Sequence, residues 1–300
     1  MAKGRIIALG YFDGVHMGHG GLLRKTKELA QERGLSAAAV TFYPHPSKLL
    51  TGKSVPLLST VGDRARIMQS LYQMDEVLPL PFDMAMMQMP WEDFLTEILL
   101  KEFGAEGLVC GHDFRFGFQG EGTPEKLKDF CEKQGIPCAV IAEIQIEGAP
   151  ASSTRIRRLI CEGEMAKAVE VLGHPHLLTG KVVGGKHRGH TWGIPTANVP
   201  FPEDIAVPAF GVYATKATVE GKGYMAVTNV GVHPTVGEMS APVAEAWILD
   251  FDEDLYGKEI SLEFYYRIRE ERKFPGVEEM AAEIRQNAEE VRAFFNKRAK

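Results

Sequence analysis

The chain has 300 residues, of which 45% are apolar and 25% are charged, and its formal net charge is −6 at pH 7. This length can bury a core in each of two domains, and the composition is that of a globular protein. A negative net charge without a block of Lys or Arg argues against nucleic-acid and membrane-surface partners. The sequence contains no run of about 18 apolar residues, so we expect no transmembrane span. The N-terminus reaches a turn after too few apolar residues for a signal peptide, so we expect a cytoplasmic protein.

The first predicted elements are a buried strand over residues 6–9, a glycine-rich turn, and a helix that ends at Gly34. His16 and His19 lie three residues apart, where the strand gives way to the helix. A helix N-terminus offers unpaired N–H groups and a positive dipole end, which together favour an anion. Gly18 lets a phosphate approach the backbone. The pattern predicts a phosphate-binding turn, although an H-x-G-H string alone also fits ordinary loop histidines.

Strands and helices alternate over the first half, which predicts a parallel sheet with helices on both faces. Further strands are predicted over residues 36–42, 77–80, 107–110 and 138–141, and further helices over residues 60–72, 90–103 and 124–134. Ligands of such sheets bind beyond the C-terminal ends of the strands. The histidine turn, the segment Pro44-His45-Pro46 and the loop after Cys110 all fall at such ends.

The loop over residues 111–117, GHDFRFG, alternates aromatic and charged side chains between glycines. Its phenylalanines, Phe114 and Phe116, either plug the core or form a pocket wall for a planar ring, with Arg115 near an anion. A second string, SSTRIR over residues 152–157, caps a helix and places arginines in its first turns, where the helix dipole disfavours cations. This indicates an anion there, and the alternative is a solvated basic face.

A helix over residues 165–172 precedes the boundary that we predict between residues 176 and 177. Beyond it the apolar period changes to two, with strands predicted over residues 177–183, 212–219, 224–230, 244–251 and 260–268. Residues 220–223 form a hairpin turn. The second half therefore predicts an antiparallel barrel followed by an amphipathic helix over residues 277–298. Residues 180–187 nearly fit a P-loop, but His187 occupies the hydroxyl position and no parallel βα unit surrounds it.

The string GIPTAN over residues 193–198 places Thr196 and Asn198 two apart on an extended segment, so that both point the same way. Both supply oxygen donors suited to Mg²⁺, although a turn with capping residues fits as well. Glu245 lies in the apolar string PVAEAWILDF. A carboxylate there is costly unless it is used or paired.

These strings resemble the bacterial bifunctional riboflavin kinase/FMN adenylyltransferase family, also called FAD synthetases. The resemblance rests on GYFDGVHMGH at residues 10–19, on the two strings at 111–117 and 152–157, and on GIPTAN, and it extends to GVYAT at 211–215, NVGVHPTVG at 229–237 and DLYGK at 254–258. It implies a Rossmann-like HxGH nucleotidylyltransferase domain over residues 1–176. A riboflavin-kinase barrel with a terminal helix follows over residues 177–300.

The resemblance also implies substrates and roles. Riboflavin is phosphorylated by ATP to FMN, and FMN is adenylylated by a second ATP to FAD, with Mg²⁺ as cofactor. The implied catalytic residues are Glu245 as the base of the kinase and, for charge neutralisation in adenylyl transfer, His16, His19 and Arg157. The implied binding residues are Gly10, Phe12, Asp13, Gly18, Ser153 and Thr154 for the nucleotide, Asp113, Phe114 and Phe116 for the flavin, and Thr196 and Asn198 for Mg²⁺ and phosphate. Self-association stays open.

Four positions depart from the family pattern. Tyr11 stands where the family usually has Asn or Thr, His190 and His233 where it usually has Arg, and Trp247 where it usually has His. An adenylyltransferase with a weakened kinase half is therefore an alternative. Two others are a flavin-binding regulator without turnover and an HxGH transferase for another substrate. Against the regulator stand the intact residues His16, His19, Thr196, Asn198 and Glu245, and the PTAN string argues against the other transferase.

Overall fold

The computed structural model describes residues 4–52, 54–184, 195–232 and 241–298. The chain divides into two compact units, Met1–Arg155 and Ile156–Lys300. Within the described ranges, no helix is long and apolar enough to cross a membrane. His190 and His233 lie outside the described residues, as do Gly193 and Ile194 of the GIPTAN string.

The first unit is built on a five-stranded parallel sheet with the order β3-β2-β1-β4-β5. The strands are β1 (Arg5–Leu9), β2 (Ser36–Tyr43), β3 (Glu76–Pro81), β4 (Ala105–Gly111) and β5 (Cys138–Ile141). The predicted parallel sheet is confirmed. Because β1 lies between β2 and β4, the strand order reverses beside β1. Open α/β sheets bind their ligands at such a switch point, outside the carboxyl ends of the strands.

The helices of this unit begin and end largely where capping residues predict. They are α1 (Met17–Arg33), α2 (Pro46–Thr51), α3 (Val61–Tyr72), α4 (Met84–Gln88), α5 (Trp91–Asp93) and α6 (Pro124–Gln134). The Thr60 side chain accepts a hydrogen bond from the Asp63 amide at the start of α3, and Gly34 closes α1 in the left-handed conformation. A two-residue hairpin pair, β6 (Gln145–Ile146) and β7 (Ala149–Pro150), follows β5.

The predicted helix over residues 90–103 differs in its winding. After α5 the chain continues as a π-helix over Phe94–Glu102. Phe94 and Leu99, which are five residues apart, are both buried in the core of the sheet. Their five-residue spacing matches the i→i+5 repeat of a π-helix, whereas the sequence pattern alone was equally consistent with an α-helix.

The second unit is built on a six-stranded antiparallel sheet with the order β8-β13-β10-β11-β12-β9. The strands are β8 (His176–Lys181), β9 (Ala197–Pro200), β10 (Gly211–Val219), β11 (Lys222–Val232), β12 (Pro242–Ile248) and β13 (Glu259–Glu270). The amide of Val183, just beyond β8, donates to the carbonyl of Asn198 in β9 over 2.9 Å, which nearly closes the sheet into the predicted barrel. Glu220 and Gly221 both have positive φ and form a two-residue hairpin turn, shorter than the predicted turn over residues 220–223 because β11 begins at Lys222.

Alternate residues of the barrel strands point to opposite faces. Tyr213, Thr228, Ala244 and Phe264 are buried on one face. Residues of the other face, including Val212, Ala214 and Val227, pack with the terminal helix α9 (Val277–Arg298) through its buried residues Ala288, Val291 and Phe295. The predicted terminal helix is confirmed. β12 ends at Ile248 rather than at residue 251, because the chain turns at Asp250, where φ is 59°.

Two helices precede the barrel, α7 (Ser153–Glu162) and α8 (Met165–Leu172). α8 packs on β8 and β13, so it belongs to the compact unit of the barrel. The division between the units accordingly falls inside α7, earlier in the chain than the boundary expected after residue 176. A functional division at residue 176 stays a prediction.

Candidate active sites

The histidine turn connects β1 to α1 at the switch point of the parallel sheet. His16 is the N-cap of α1, and its Nδ1 accepts a hydrogen bond from the backbone N–H of His19 at 3.4 Å. This assigns the imidazole proton of neutral His16 to Nε2, since a nitrogen that accepts a hydrogen bond carries no proton. The two imidazole rings stack with 3.7 Å between their centroids. The first histidine therefore shapes the helix N-terminus as well as offering a donor.

The pKa of His19 is lowered well below its usual 6.5. Burial is the largest cause, and the nearby His16 and Arg64 lower it further. Its Nδ1 is buried and has no hydrogen-bond partner among the described residues. A neutral imidazole with an unsatisfied nitrogen at a helix N-terminus is a group that a bound phosphate can satisfy.

The residues before the histidines shape the turn from inside. Phe12 is fully buried with φ at 59°, and its ring meets that of His19 edge-on at 5.2 Å. A Cβ at Gly10 would lie only 3.0 Å from the Phe12 ring. Asp13 is also buried, and its Oδ1 accepts hydrogen bonds from the backbone N–H groups of Leu58 and Ser59 at 2.8 and 3.2 Å. The predicted direct contact of Phe12 and Asp13 with nucleotide stays a prediction that their burial argues against.

The packing around Gly18 requires a glycine at this position. A Cβ at this position would lie 2.9 Å from the carbonyl oxygen of Ala151 and 2.9 Å from the His16 ring. The close approach of these groups requires a glycine whether or not a phosphate is bound. The sequence argument for Gly18 named the phosphate and missed this packing.

The N-terminus of α7 is tied to the histidine turn. The Ser153 hydroxyl donates to the backbone carbonyl of Asp13 at 3.0 Å, and the Ser152 hydroxyl caps α7 by accepting from the Arg155 amide at 3.3 Å. Thr154 is exposed beside them. The predicted hydroxyl-bearing residues therefore lie next to the histidine turn, as a shared phosphate site requires.

The two arginines of the SSTRIR string and Arg158, which follows it, have different surroundings. Arg155 donates from Nη1 to the carbonyls of Ile146 and Ala149 at 2.8 and 3.2 Å, and its Nη2 lies 3.5 Å from the Glu147 carboxylate, so it stabilises the β6–β7 hairpin. Arg158 is exposed and lies 4.0 Å from Glu162, one turn further along α7. For Arg155, the nearby anion is therefore a carboxylate of the protein itself. Arg157 is half-buried, and its role toward phosphate stays a prediction.

The loop over residues 111–117 begins at the end of β4, the neighbour of β1. Phe116 is buried and packs against Trp91 and Phe94, at ring distances of 6.3 and 5.8 Å. Phe114 is half-buried and stacks on Phe116 at 5.6 Å, and Asp113 is exposed. Phe116 thus plugs the core, as the first of the two sequence interpretations predicted. Phe114 and Asp113 stay the candidates for contact with a flavin.

Arg64 was missed by the sequence analysis. It lies on α3, is 1% exposed, and donates hydrogen bonds to the backbone or side chains of Tyr11, Thr41, Phe42 and Ser59. A signal was present in the sequence, because Arg64, Ile67 and Met68 share the buried stripe of α3 at a spacing of three and four. A charged residue on such a stripe calls for a partner or a function.

The second candidate site lies on the barrel, where three predicted residues meet. The Thr196 hydroxyl donates to Oε1 of Glu245 at 2.8 Å. Asn198 in β9 is the register partner of Glu245 in β12, and Asn229 in β11 is its partner on the other side. The strands therefore place two amides, a hydroxyl and a carboxylate side by side.

Glu245 is half-buried on the face opposite to its buried neighbours Ala244 and Ala246. Its strand alternates, so its immediate chain neighbours do not enclose it, and the hydrogen bond from Thr196 gives the half-buried carboxylate a partner. Trp247 lies on the same face as Glu245 and packs with the core beneath α9. The Asn229 amide donates to Glu271 at 3.0 Å.

A cavity of about 470 Å³ lies between the end of β13 and α9. It begins at Arg272, the residue after Glu271, and its lining includes Phe274, Glu283 and Gln286. The guanidinium of Arg272 lies 4.9 Å from the centre of the Phe274 ring. An aromatic ring, cations and the carboxylates of Glu279 and Glu283 line this opening, and Arg272 forms an ion pair with Glu283.

Comparisons with known proteins cover both units. A family described as FAD synthetase matches residues 1–155, and one described as riboflavin kinase matches residues 172–295. The bifunctional riboflavin kinase/FMN adenylyltransferase of Listeria monocytogenes is 35% identical over 98% of this chain and 93% of that protein. The protein of the same name from Escherichia coli K12 is 32% identical over 98% and 93%. A solved structure described as a macrolide-efflux protein from Streptococcus pneumoniae is 29% identical, with a TM-score of 0.83 over 97% of this chain and 95% of that one.

Proposed function

The chain belongs to the bifunctional riboflavin kinase/FMN adenylyltransferase family, and we propose that it catalyses both reactions. Riboflavin and ATP give FMN and ADP, and FMN and a second ATP give FAD and pyrophosphate. The observation that carries the proposal is the meeting of Thr196, Asn198 and Glu245 on one face of the barrel. The histidine turn at the switch point of the parallel sheet supports the second reaction.

In the kinase reaction, Glu245 takes the proton from the 5′-hydroxyl of riboflavin. That oxygen forms a bond to the γ-phosphorus of ATP, while the bond from the γ-phosphorus to the β,γ-bridging oxygen breaks and ADP leaves. The Thr196 hydroxyl supports this role because its hydrogen bond fixes the orientation of the carboxylate. The cavity beside Arg272 is our candidate for the flavin.

Thr196 and Asn198 are the residues that we assign to Mg²⁺. In the described part of the chain, no group of three or more His, Cys, Asp or Glu side chains could hold a metal ion. A hydroxyl and an amide oxygen fit a hard cation, and the Thr196 oxygen keeps its lone pairs while its proton points to Glu245. When bound, Mg²⁺ neutralises charge on the phosphates of ATP.

In adenylyl transfer, an oxygen of the FMN phosphate forms a bond to the α-phosphorus of ATP, and the bond to the pyrophosphate oxygen breaks. No protein nucleophile is needed, so the chain positions two anions and stabilises the developing charge. We assign this to His16, His19 and Arg157, with hydroxyls from Ser153 and Thr154. Phe114 and Asp113 are our candidates for the flavin side of this site.

The proposal extends to the surroundings of the reactions. Because both consume ATP, we place them in the cytoplasm, with riboflavin, FMN and ATP as the partners and with no role for nucleic acid or a membrane. Self-association stays open, and an adenylyltransferase with a weakened kinase half is the second candidate. The observation behind it is Trp247, which lies two residues beyond Glu245 on the same face.

One assay tests the proposal. The protein is incubated with riboflavin, Mg²⁺ and ATP, and riboflavin, FMN and FAD are separated by chromatography. We expect FMN to appear first and FAD to follow. FAD formed from supplied FMN, with no FMN formed from riboflavin, would favour the weakened kinase half. Flavin binding without either product would favour a regulator and contradict the proposal.

A further inference from the structure

Arg64 is a buried cation that the proposed reactions do not yet use. Its Nη1 donates to the Tyr11 carbonyl at 3.2 Å, the Thr41 hydroxyl at 3.0 Å and the Phe42 carbonyl at 3.3 Å. Its Nη2 donates to the Tyr11 hydroxyl at 3.1 Å and the Ser59 carbonyl at 3.3 Å. The guanidinium carbon also lies 4.3 Å from the centre of the Tyr11 ring. One side chain thus connects the segment after β1, the end of β2 and the start of α3.

The charge of Arg64 has no carboxylate partner in the described ranges. Every acceptor of its hydrogen bonds is a neutral oxygen. The carboxylate of Asp13 accepts hydrogen bonds from the amides of Leu58 and Ser59. Burying a guanidinium without a counter-ion is costly, even when neutral groups accept its hydrogen bonds. An anion bound close by would lower that cost.

The contacts of Arg64, which lies on α3, indicate where such an anion would bind. Tyr11, whose carbonyl and hydroxyl it holds, opens the turn that leads through Asp13 to His16. Ser59, which accepts from Arg64 through its carbonyl, also accepts from the Gly14 amide through its hydroxyl at 2.9 Å. Arg64 and Ser59 therefore hold the turn from Tyr11 to Gly14 in place through hydrogen bonds. This turn leads to the helix N-terminus that favours phosphate.

We propose that Arg64 is a positioning residue for adenylyl transfer, which holds the turn from Tyr11 to Gly14 and places a fixed positive charge near the nucleotide phosphates. The proposal rests on the proposed FMN adenylyltransferase activity. A preorganised charge in a site shielded from water stabilises developing negative charge without reorganisation during the reaction. The field of Arg64 already reaches His19, whose pKa it lowers together with burial and His16.

The charged and titratable groups around this pair can be named. His19 faces His16, which stacks on it, and the more distant Arg64. Arg64 faces the Tyr11 phenol, which in turn meets the His45 ring at 4.3 Å. Removing the Arg64 charge leaves His16 as the remaining group that lowers the pKa of His19 by its charge, so that pKa should rise.

The test compares Arg64→Met, which removes the charge, with Arg64→Lys, which keeps the charge and loses the planar fork. Arg66→Met is the matched control, since Arg66 lies on the same helix, is exposed and is 3.9 Å from Asp63. We expect Arg64→Met to lower kcat for FAD formation about 10-fold or more, with KM for FMN little changed. Riboflavin phosphorylation in the same protein should be unchanged, and Arg66→Met should match the wild type in both reactions.

A second readout does not depend on turnover. The titration of the His19 ring is followed by NMR, with its signal assigned from a His19→Gln variant. We expect the pKa of His19 to rise in Arg64→Met and to stay near its wild-type value in Arg64→Lys, whose kcat should still fall because the fork is lost. Wild-type kcat together with an unchanged His19 titration in Arg64→Met would overturn the proposal. If Arg64→Met fails to fold, wild-type kcat in Arg64→Lys overturns it.

The two proposals can fail separately. A wild-type protein that forms no FAD from FMN and ATP contradicts the proposed function. The role of Arg64 is then decided by calorimetry with ATP and by the His19 titration. Weaker ATP binding in Arg64→Met with a raised His19 pKa supports a phosphate site at this turn. Unchanged ATP binding overturns the role of Arg64 as well.

Discussion

The Thr196 hydroxyl donates a hydrogen bond to Oε1 of Glu245 at 2.8 Å. Thr196 directly precedes β9, and Glu245 lies in the neighbouring strand β12. A hydroxyl that donates in this direction keeps its oxygen lone pairs for another ligand. It also helps to fix the orientation of the carboxylate. The contact therefore links the residue assigned to Mg²⁺ with the residue assigned as the base.

The first prediction concerns Glu245→Gln. Glutamine is nearly isosteric and still accepts from Thr196, but it cannot take the proton of the riboflavin hydroxyl. General-base catalysis contributes typically about 10²–10⁴-fold, so the kinase rate should fall by that order. Riboflavin and ATP affinity should change little, and FAD formation from supplied FMN should be normal. The measurement is a kinase assay with a thermal melt of the same sample. A destabilised variant with near-normal turnover per folded molecule would contradict the catalytic role.

The second prediction distinguishes the effect of the Thr196 hydroxyl from the effect of the side chain's branched shape. Thr196→Val keeps the branched side chain and loses the donor to Glu245, whereas Thr196→Ser keeps the donor. Losing a hydrogen bond to a charged group costs about 1.5–3 kcal/mol, which is about 10-fold or more in rate if the bond is kept in the transition state. We expect the kinase rate of Thr196→Val to fall by that amount and that of Thr196→Ser to stay near wild type. Equal rates in the two variants would mean that the hydroxyl has no catalytic part.

The third prediction concerns His19→Ala. It removes the ring whose Nδ1 is unsatisfied at the helix N-terminus, while the helix cap made by His16 accepts from the backbone and is retained. FAD formation from FMN should fall by about 10²-fold or more, the usual loss for a positioned donor. FMN formation from riboflavin, measured in the same reaction, should be unaffected. A parallel loss of both activities would contradict two separate sites.

Local sequence signals predicted much of the fold. The alternation of strands and helices, the start of a helix at residue 60 and the end of the first helix at Gly34 each depend on a few neighbouring residues, and all are confirmed. The change of apolar period likewise predicted the barrel, because strand alternation is read within one segment.

What the sequence could not predict depends on residues far apart in the chain. Asp13 is held by amides at Leu58 and Ser59, and Ser153 reaches the Asp13 carbonyl across 140 residues. Through these contacts, the motif residues Asp13 and Ser153 stabilise the turn. The same holds for Arg155, whose acceptors belong to a hairpin that the pattern did not indicate. Motif strings thus indicated the candidate site, and packing identified which of their side chains are buried supports of the turn.

The fourth prediction concerns separate expression of the barrel. α8 packs on β8 and β13, and β8 begins at His176. A fragment of residues 151–300 keeps α7, α8 and the whole of β8, and we expect it to form FMN but no FAD. A fragment of residues 179–300 cuts β8 and removes α8, so it should be less stable. Urea denaturation and the chromatographic assay compare the two. Folded 151–300 that forms no FMN at any Mg²⁺ concentration would contradict an autonomous kinase.

The fifth prediction concerns His176, which is buried at the start of β8, 6.0 Å from the Phe264 ring. Burial, with a smaller effect of His174, lowers the pKa of His176 to about 4, and its Nε2 has no partner among the described residues. The unfolded chain, with an ordinary pKa near 6.5, therefore binds the proton more readily than the folded one. Stability from this group is complete above pH 6.5 and is lost as the pH falls from 6.5 toward 4.

Between pH 7 and pH 5 the barrel should lose about 2 kcal/mol from His176 alone, given a shift of this size. His176→Leu removes the titration, so its barrel should lose correspondingly less stability over the same interval. At pH 7 the variant should be at least as stable as the wild type, because leucine leaves no buried nitrogen without a partner. Urea denaturation of the whole chain at both pH values, followed by the amide NMR signals of the barrel strands, measures the difference. Equal pH dependence in the two proteins would mean that His176 keeps an ordinary pKa in the folded barrel.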